Sequence, residues 1–225
     1  MTDRLRERFP FLRWSILALC LDMLYYYVPK VITLNAASHD LTGALDRAAP
    51  FLPFFTVFYI GAFIQWGIYY LRIASGPAGK SAGYLVAEVM AKLACTFTFL
   101  VFPTSIVRPD AAGGGIFSFV LCFIYAVDAP TCLFPSIHCL MSWLSMRHVL
   151  SDRDLSVTRK TISVLFTILV CLSTVFIRQH FAADCFAGIL LAEAGLALSG
   201  KMRLTGRFAS RMETERTAVQ IKKNK

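Results

Sequence analysis

Long uncharged apolar segments alternate with short polar segments along most of this chain. Residues 51–71 and 161–177 contain no Asp, Glu, Lys or Arg. A helix that crosses a bilayer needs about 20 predominantly apolar residues, with about 17 as the lower limit. Both segments meet this requirement, so the pattern predicts an all-α, polytopic membrane protein.

The same pattern predicts six transmembrane helices. Their approximate ranges are 13–32, 51–72, 84–103, 134–150, 160–178 and 182–199. The apolar stretch from Ile116 to Tyr125 is short for a span, so we expect it to lie at the membrane interface or to re-enter the bilayer. The chain then divides into an N-terminal arm (1–12), a six-helix membrane domain (13–199) and a basic tail (200–225).

Composition supports the membrane assignment, and charge gives it an orientation. Charged residues make up 16% of the chain, against about 25% in soluble domains, and the mean hydropathy is +0.59. Of the 23 Lys and Arg residues, only Lys30, Arg47, Arg108 and Arg178 fall on one side of the spans, and Lys92 falls within one. The positive-inside rule therefore predicts cytoplasmic termini. We expect an integral protein of a bacterial plasma membrane.

The ends of the chain fit this topology. Arg4, Arg6 and Arg8 precede an apolar stretch without a small-residue cleavage site, which predicts a retained first span rather than a removed signal. The net charge of +9 is concentrated in the basic tail, where we expect it to fix topology beside anionic lipid headgroups. Nothing in the sequence suggests the folded basic surface of a nucleic-acid-binding protein.

The seven cysteines give no indication of a metal site, because no C-x-x-C pair occurs. Most of them lie in apolar segments, as is typical of buried free thiols. Cys122 and Cys132 share the segment between the third and fourth spans, where a disulfide is the alternative to two free thiols. We predict neither a metal nor another cofactor.

Three polar clusters reach the non-cytoplasmic side in this topology. They are Arg108 after the third span, Pro135-Ser136-Ile137-His138 at the start of the fourth, and Arg178-Gln179-His180 with Asp184 between the fifth and sixth. Arginines offer paired donors to phosphate oxygens, and a helix N-terminus with a serine cap offers free N–H groups. The combination indicates a phosphate-binding site.

The histidines add reactive groups to these clusters. His180 and Asp184 are four residues apart and share one face of a helix, so Asp184 can hold one ring nitrogen while the other attacks. His138 is left as the acid that protonates the leaving oxygen. Singly, each residue also has a structural explanation, as an interfacial histidine, a plain helix cap or an arginine anchored to headgroups. Their convergence on one membrane face favours the functional interpretation.

These residues resemble the motifs of the type-2 phosphatidic-acid phosphatase superfamily, which also includes vanadium haloperoxidases. The superfamily motifs are Lys-x6-Arg-Pro, Pro-Ser-Gly-His and Ser-Arg-x5-His-x3-Asp, and the matches are Arg108-Pro109, Pro135-Ser136-Ile137-His138, and Ser173 with His180 and Asp184. The resemblance implies that His180 is transiently phosphorylated, that Asp184 orients it and that His138 protonates the leaving group. It also implies that Arg108 and Ser136 bind the phosphate without a metal.

The first motif is incomplete. Its lysine would fall at Val101, so that charge is missing. Lys92 cannot replace it, because the helix between Lys92 and Arg108 would span roughly 24 Å. We expect Lys92 to pair with Glu88 inside the bundle instead.

The other two motifs also depart from the pattern. Thr174 stands where the third motif has arginine, and the nearest cation is Arg178, which we include among the candidate phosphate-binding residues. Ile137 replaces glycine in the second motif and keeps only a backbone N–H for the phosphate. A basic residue just before His-x3-Asp resembles the branch that contains inositol-phosphoceramide and sphingomyelin synthases.

Three functions follow as hypotheses. The leading one is hydrolysis of a lipid phosphate ester at the non-cytoplasmic face through a phosphohistidine. The second is transfer of a phospholipid headgroup to another lipid through the same site. The third is a non-catalytic membrane scaffold or lipid-binding protein. The expected partners are a lipid phosphate or phospholipid and the surrounding lipids, while the oligomeric state stays open.

Overall fold

A computed structural model describes residues 8–111 and 113–223, and the fold is all-helical, as predicted. The helices are α1 (Leu12–Ile32), α2 (Ala44–Ala48), α3 (Thr56–Ser75, preceded by a 3-10 turn over Pro53–Phe55), α4 (Ala78–Val101), α5 (Ile116–Val127), α6 (Ile137–Leu150), α7 (Val157–Phe176), α8 (Ala182–Ser199) and α9 (Arg203–Lys223). Two isolated β-bridges, His39 with Thr104 and Ser105 with Thr131, join connecting segments at one end of the bundle.

Within residues 8–111 and 113–223, five helical stretches are long and apolar enough to cross a membrane. They are α1, the 3-10 turn with α3, α4, α7 and α8. Between 22% and 39% of the most apolar window of each is buried within the protein, so most of their apolar side chains face outward. Ile64 and Leu190, for example, are 70% and 68% exposed. These helices are compatible with an integral membrane protein, because a bilayer accepts apolar surface that water disfavours.

The segment predicted as the fourth span forms a helix that is shorter than expected. We predicted a helix over 134–150, whereas α6 begins at Ile137 and has 14 residues. Ser136 fixes the start, because its Oγ accepts a hydrogen bond from the Cys139 amide at 3.3 Å. A helix of this length spans about 21 Å, against about 30 Å for the hydrocarbon core. It packs against α3, α4, α7 and α8.

Two other helices begin earlier than the apolar pattern indicated. The Ala78 start of α4 precedes the predicted residue 84, because Pro77 and the small residues after it continue directly into the helix. The Val157 start of α7 precedes residue 160, and the Ser156 hydroxyl accepts a hydrogen bond from the Arg159 amide at 3.4 Å. Helix α8 has the predicted bounds.

Two glycines allow α8 to lie very close to its neighbours. A Cβ at Gly188 would be 2.4 Å from the Ser136 carbonyl oxygen, and one at Gly195 would be 2.6 Å from the Ala87 carbonyl oxygen. Small residues at helix crossings in membranes permit this approach. The contact at Gly188 holds the start of α6 against α8, which sets the distance between two parts of the candidate site.

A buried ionic cluster joins three helices. Lys92 donates to Glu88 at 2.8 Å, which confirms the predicted pair, and it also contacts Asp22 on α1. The Tyr70 hydroxyl on α3 lies 2.5 Å from Glu88 and 2.8 Å from Asp22. An ammonium inside a helix bundle needs such partners, because desolvating it alone is costly.

The basic tail is a helix that packs against the bundle. Met212 of α9 is fully buried in the core that α9 shares with α4. The Glu215 carboxylate accepts a hydrogen bond from Trp14 Nε1 at 3.1 Å and also contacts Arg13. The basic surface of α9 therefore has a fixed position beside the start of α1.

Candidate active site

Loops at one end of the bundle bring together residues from all three sequence clusters. The Ser136 amide donates to the Asp184 carbonyl at 3.0 Å, and the Cys132 amide donates to the Thr104 carbonyl at 2.9 Å. The Thr104 hydroxyl also accepts hydrogen bonds from the amides of Leu133 and Phe134, both at 3.0 Å. The starts of α6 and α8 and the segment after α4 therefore form one unit. We call this the histidine end of the bundle, because it carries His138 and His180.

His180 and Asp184 contact each other as their spacing predicts. The Nδ1 atom of His180 lies 3.1 Å from Asp184 Oδ2 and 3.1 Å from the Leu133 carbonyl oxygen. Both neighbours are acceptors, so Nδ1 carries the ring proton and Nε2 keeps its lone pair. Asp184 Oδ2 also accepts a hydrogen bond from the Phe181 amide at 3.0 Å, which caps α8 and fixes the carboxylate.

The turn between α7 and α8 sets the position of this imidazole. The amides of Gln179 and His180 both donate to the Thr174 carbonyl at 2.9 Å. Arg178 adopts a φ of +52°, in the left-handed region that side chains other than glycine rarely occupy. Arg178 lies two residues before His180, in the turn that reverses the chain direction. Contacts elsewhere must offset the free-energy cost of its strained backbone.

His138 faces His180 across the site and lies against an aromatic wall on α3. The two imidazole ring centroids are 6.1 Å apart. Tyr59 stacks on His138 at 4.1 Å, while Phe63 and Trp66 lie at 5.5 Å and 5.0 Å. The wall fixes the ring plane and leaves its Nε2 buried without a hydrogen-bond partner among the described residues.

The start of α6 presents backbone donors beside these rings. Ser136 is fully buried, and its hydroxyl caps the helix through the Cys139 amide. The amides of Ile137 and His138 are the first two of α6, where a helix lacks internal acceptors for its N–H groups. The positive end of the helix dipole thus points toward the histidine end.

Arg108 is held within this unit by carbonyl and side-chain acceptors. Its guanidinium donates to the carbonyls of Asp128, at 2.6 Å, and Tyr125, at 3.3 Å, and it contacts the Gln179 side chain. It also lies over the Tyr125 ring at 4.5 Å. Burial lowers the pKa of Arg108 below its usual value, but an arginine remains cationic at neutral pH. Gln179 directly precedes His180, so Arg108 is connected to the turn that carries His180.

Arg178 uses its guanidinium differently from Arg108. It donates to the carbonyls of Asp46 at 2.5 Å and Ala49 at 2.8 Å. The Asp46 carboxylate in turn accepts a hydrogen bond from the Ala182 amide at 2.7 Å. These contacts tie α2 to the turn before α8, and they offset the unusual backbone conformation of Arg178. Two of its donors are therefore already used by protein carbonyls.

A second ionic group, which sequence reasoning missed, lies beside Arg108. Lys30, at the end of α1, donates to the Asp128 carboxylate at 2.5 Å and to the Ala129 carbonyl at 2.9 Å. Tyr26 donates to the same carboxylate at 2.5 Å. Burial alone would raise the pKa of Asp128, but Lys30 and the Tyr26 hydroxyl hold it below its usual value. The only sequence signal was Lys30 itself, one of the few cations predicted on this side.

Partnerless buried polar atoms concentrate at the histidine end. The described residues contain nine such side-chain atoms, and four of them are Arg108 Nε, His138 Nε2, Gln179 Nε2 and Asp184 Oδ1. Buried polar atoms are nearly always hydrogen-bonded, so each exception calls for an explanation. Three of these four atoms are nitrogens that donate or titrate, and the fourth is a carboxylate oxygen. Because they lie in one small region, they suit the binding of a polar ligand.

All seven cysteines are free thiols. Cys132 is buried, and its sulfur lies 3.2 Å from the Thr33 hydroxyl, while Cys122 is half-buried on α5. The disulfide alternative for these two residues is therefore wrong. Two other free thiols, Cys139 and Cys185, lie behind the histidines, where both contact the Thr174 hydroxyl.

No protein-family model, curated protein or solved structure matches this chain. The motifs in which it resembles a superfamily are a few residues each, separated by long apolar segments. Its function is therefore inferred from the residues that the fold brings together and from the chemistry of their contacts.

Proposed function

We propose that this chain is an integral membrane lipid phosphatase of the type-2 phosphatidic-acid phosphatase superfamily, with His180 as its nucleophile. The observation that carries the proposal is the His180–Asp184 contact. It fixes the imidazole tautomer so that Nε2 has a free lone pair, and it places a carboxylate behind the ring. A second imidazole, His138, faces it with an unpartnered nitrogen.

In the first step, His180 Nε2 attacks the phosphorus of a lipid phosphate ester. The new N–P bond forms as the bond from phosphorus to the lipid oxygen breaks. His138, in its protonated form, gives a proton to that oxygen, so the lipid leaves as an alcohol. The proton on His180 Nδ1 stays hydrogen-bonded to Asp184, whose charge stabilises the phosphorylated imidazole.

In the second step, His138 acts as a base. It removes a proton from a water molecule, whose oxygen attacks phosphorus while the N–P bond breaks. Inorganic phosphate leaves, His180 regains its lone pair and His138 is again protonated. One imidazole thus alternates between acid and base, as microscopic reversibility requires of a two-step displacement.

Cationic and backbone donors near the rings suit the phosphate oxygens. Arg108 supplies a charged guanidinium, and the amides of Ile137 and His138 lie at the positive end of α6. Ser136 would hold this helix start in place through its cap and add a hydroxyl near the phosphate. Arg178 is proposed to contribute positive charge and to hold the turn before His180, since its donors already contact carbonyls.

We propose that α6 serves as the sixth membrane segment and that the histidine end faces away from the cytoplasm. The helix is short, but it is surrounded by longer apolar helices that would shield its ends from lipid. The sparse cations at the histidine end support this orientation under the positive-inside rule. The 12-residue α5 would then lie at the outer interface rather than cross.

Headgroup transfer to a second lipid is the alternative reaction. Its support is the aromatic wall beside His138, together with the low exposure of the His180 side chain, which is 10%. An apolar, enclosed site favours a lipid hydroxyl over water in the second step. Both reactions share the phosphohistidine, so only the acceptor distinguishes them.

Purified protein in vesicles that contain phosphatidic acid, isoprenyl pyrophosphate, phosphatidylinositol, ceramide and diacylglycerol tests the proposal. Free phosphate and newly formed phospholipids are measured in the same sample. We expect phosphate release from at least one lipid phosphate. A new phospholipid without phosphate release would instead identify a headgroup transferase, and neither product from any lipid would contradict both proposals.

His138→Ala is expected to slow turnover of a lipid phosphate by about 100-fold or more, because the leaving alkoxide then departs without a proton. The loss should be much smaller for p-nitrophenyl phosphate, whose leaving group needs little protonation. The two substrates are compared on the same purified variant by the rate at which the alcohol is released in the first turnover, because the base role of His138 in the second step is common to both. Tyr27→Phe, a conservative change at an exposed position on α1, serves as a control for losses of activity during purification and reconstitution. An equal loss on both substrates would refute the acid role of His138.

A further inference from the structure

A groove runs along the lipid-facing side of the bundle between α3 and α7, with α6 beneath it. Its volume is about 620 Å³, and most of its surface is apolar. Ile64, Ile68 and Ile162 line it and are each more than half exposed. Such a surface accommodates a flexible hydrocarbon chain, because contact with it keeps apolar area away from water.

Both charged residues that line the groove lie at one end of it. Among its described lining residues, only Arg72 and Arg159 carry charge, and both are cationic. Arg72 is near the end of α3 and Arg159 is in the first turn of α7, so they meet at the end of the bundle opposite the histidines. The groove is thus apolar along its length and positive at its mouth.

The charges around this mouth are mostly positive. Arg72 pairs with Asp152, yet its Nε is buried without a partner among the described residues. Burial alone would raise the pKa of Asp152, but the Asp154 amide, Lys80 and Arg72 hold it below its usual value. The Asp152 carboxylate therefore lies in a positive local field, and Arg159 adds an exposed guanidinium. An additional anion would be favourable here.

We propose that this groove is a binding site for an anionic phospholipid. One acyl chain lies between α3 and α7, and the headgroup phosphate contacts Arg72 and Arg159. Basic pockets between transmembrane helices bind anionic headgroups in this way, and each arginine near the surface contributes about 1 kcal/mol of attraction. The site lies at the opposite end from His180 and does not rest on the proposed phosphatase activity.

Native mass spectrometry of the detergent-solubilised protein tests this proposal. Dioleoylphosphatidylglycerol is titrated against dioleoylphosphatidylcholine, which has the same chains. We expect the first phosphatidylglycerol to bind about fivefold or more tightly than phosphatidylcholine, and Arg159→Gln to remove about fivefold of that affinity. Arg159→Lys should keep more of it. Ser163→Phe, which fills the groove, should weaken binding of both lipids.

Two matched variants separate a built site from general attraction. Arg153→Gln removes the same charge from the same end at an exposed position outside the groove, and Leu165→Phe adds bulk to α7 away from it. Both should bind phosphatidylglycerol like the wild type. Equal affinity for the two lipids, or equal losses in Arg153→Gln and Arg159→Gln, would overturn the proposal. Complete displacement by millimolar inorganic phosphate would identify an anion site without a lipid chain. Circular dichroism confirms that each variant is folded.

Discussion

Phosphate release is expected to fall by about 10⁴-fold or more in the His180→Ala variant, because the change removes the proposed attacking nitrogen itself. The other imidazole cannot take over this role. His138 lies on the opposite side, with its ring centroid 6.1 Å away, and no carboxylate within the described part of the chain hydrogen-bonds to its ring. Release of phosphate from the best lipid substrate gives kcat for the variant and the wild type.

The same variant allows a direct test of the covalent intermediate. Wild-type protein quenched during turnover should contain an acid-labile phosphohistidine at position 180, detected by phosphorus NMR of the denatured chain. In His138→Ala the phosphohistidine should both form and break down more slowly than in the wild type, whereas His180→Ala should contain none.

His39→Ala is the matched control for this experiment. His39 is exposed at the same end of the bundle and stacks on Phe102 at 4.3 Å. Its kcat should match that of the wild type. If purified, folded His180→Ala retained activity within tenfold of the wild type, the nucleophile assignment would be wrong.

Asp184→Ala is expected to lower kcat by about 10³-fold to 10⁴-fold, the second largest effect. The carboxylate oxygen Oδ2 receives both the His180 Nδ1 proton and the Phe181 amide, at 3.1 Å and 3.0 Å. Alanine would remove this acceptor and with it both hydrogen bonds, so the imidazole would lose its fixed tautomer and α8 would lose its cap. The thermal unfolding temperature should fall along with activity.

Asp184→Asn separates orientation from charge. Oδ1 of Asp184 has no partner among the described residues, so an asparagine can place its oxygen at Oδ2 and its amide at the unpartnered position. Both hydrogen bonds then remain, and only the negative charge is lost. We expect about a 100-fold loss in kcat, smaller than for alanine, with little change in unfolding temperature.

Asp154→Asn, at an exposed carboxylate on the other end of the bundle, is the control and should change neither quantity. A loss in Asp184→Asn as large as in Asp184→Ala would show that the charge, rather than the orientation of the ring, dominates. Wild-type activity in both variants would exclude Asp184 from the site.

The apolar pattern predicted the helical class and the positions of the long helices well. Residues 161–177 contain no charge, and α7 covers them almost entirely, because a single helix can satisfy all its backbone groups without a partner. The bounds of α8 agree with the pattern to the residue. The start of α4 was predicted too late, since Gly79, Lys80 and Ser81 are compatible with either helix or loop.

Contacts between distant segments could not be predicted in the same way. The pairing of His180 with Asp184 is local, and a spacing of four on a helix indicates it. The Lys30–Asp128 pair joins residues 98 positions apart, and neither position is distinctive in sequence. The use of Arg178 on carbonyls of the 44–49 segment depends equally on packing. The roles of the candidate site residues in phosphate chemistry all stay predictions: His180, Asp184, His138, Ser136, Ile137, Arg108 and Arg178.

The sequence alone therefore determined that this is an all-helical protein with helices suited to a membrane. The length of an apolar segment and the charge beside it depend only on that segment and its solvent. The sequence also determined which residues carry reactive groups, because His, Asp and Arg have few chemical substitutes. Only the tertiary structure decided the imidazole tautomer, the aromatic wall beside His138 and the shorter α6. Each of these depends on the distance between chain segments far apart in sequence, which side-chain packing sets and local propensity does not.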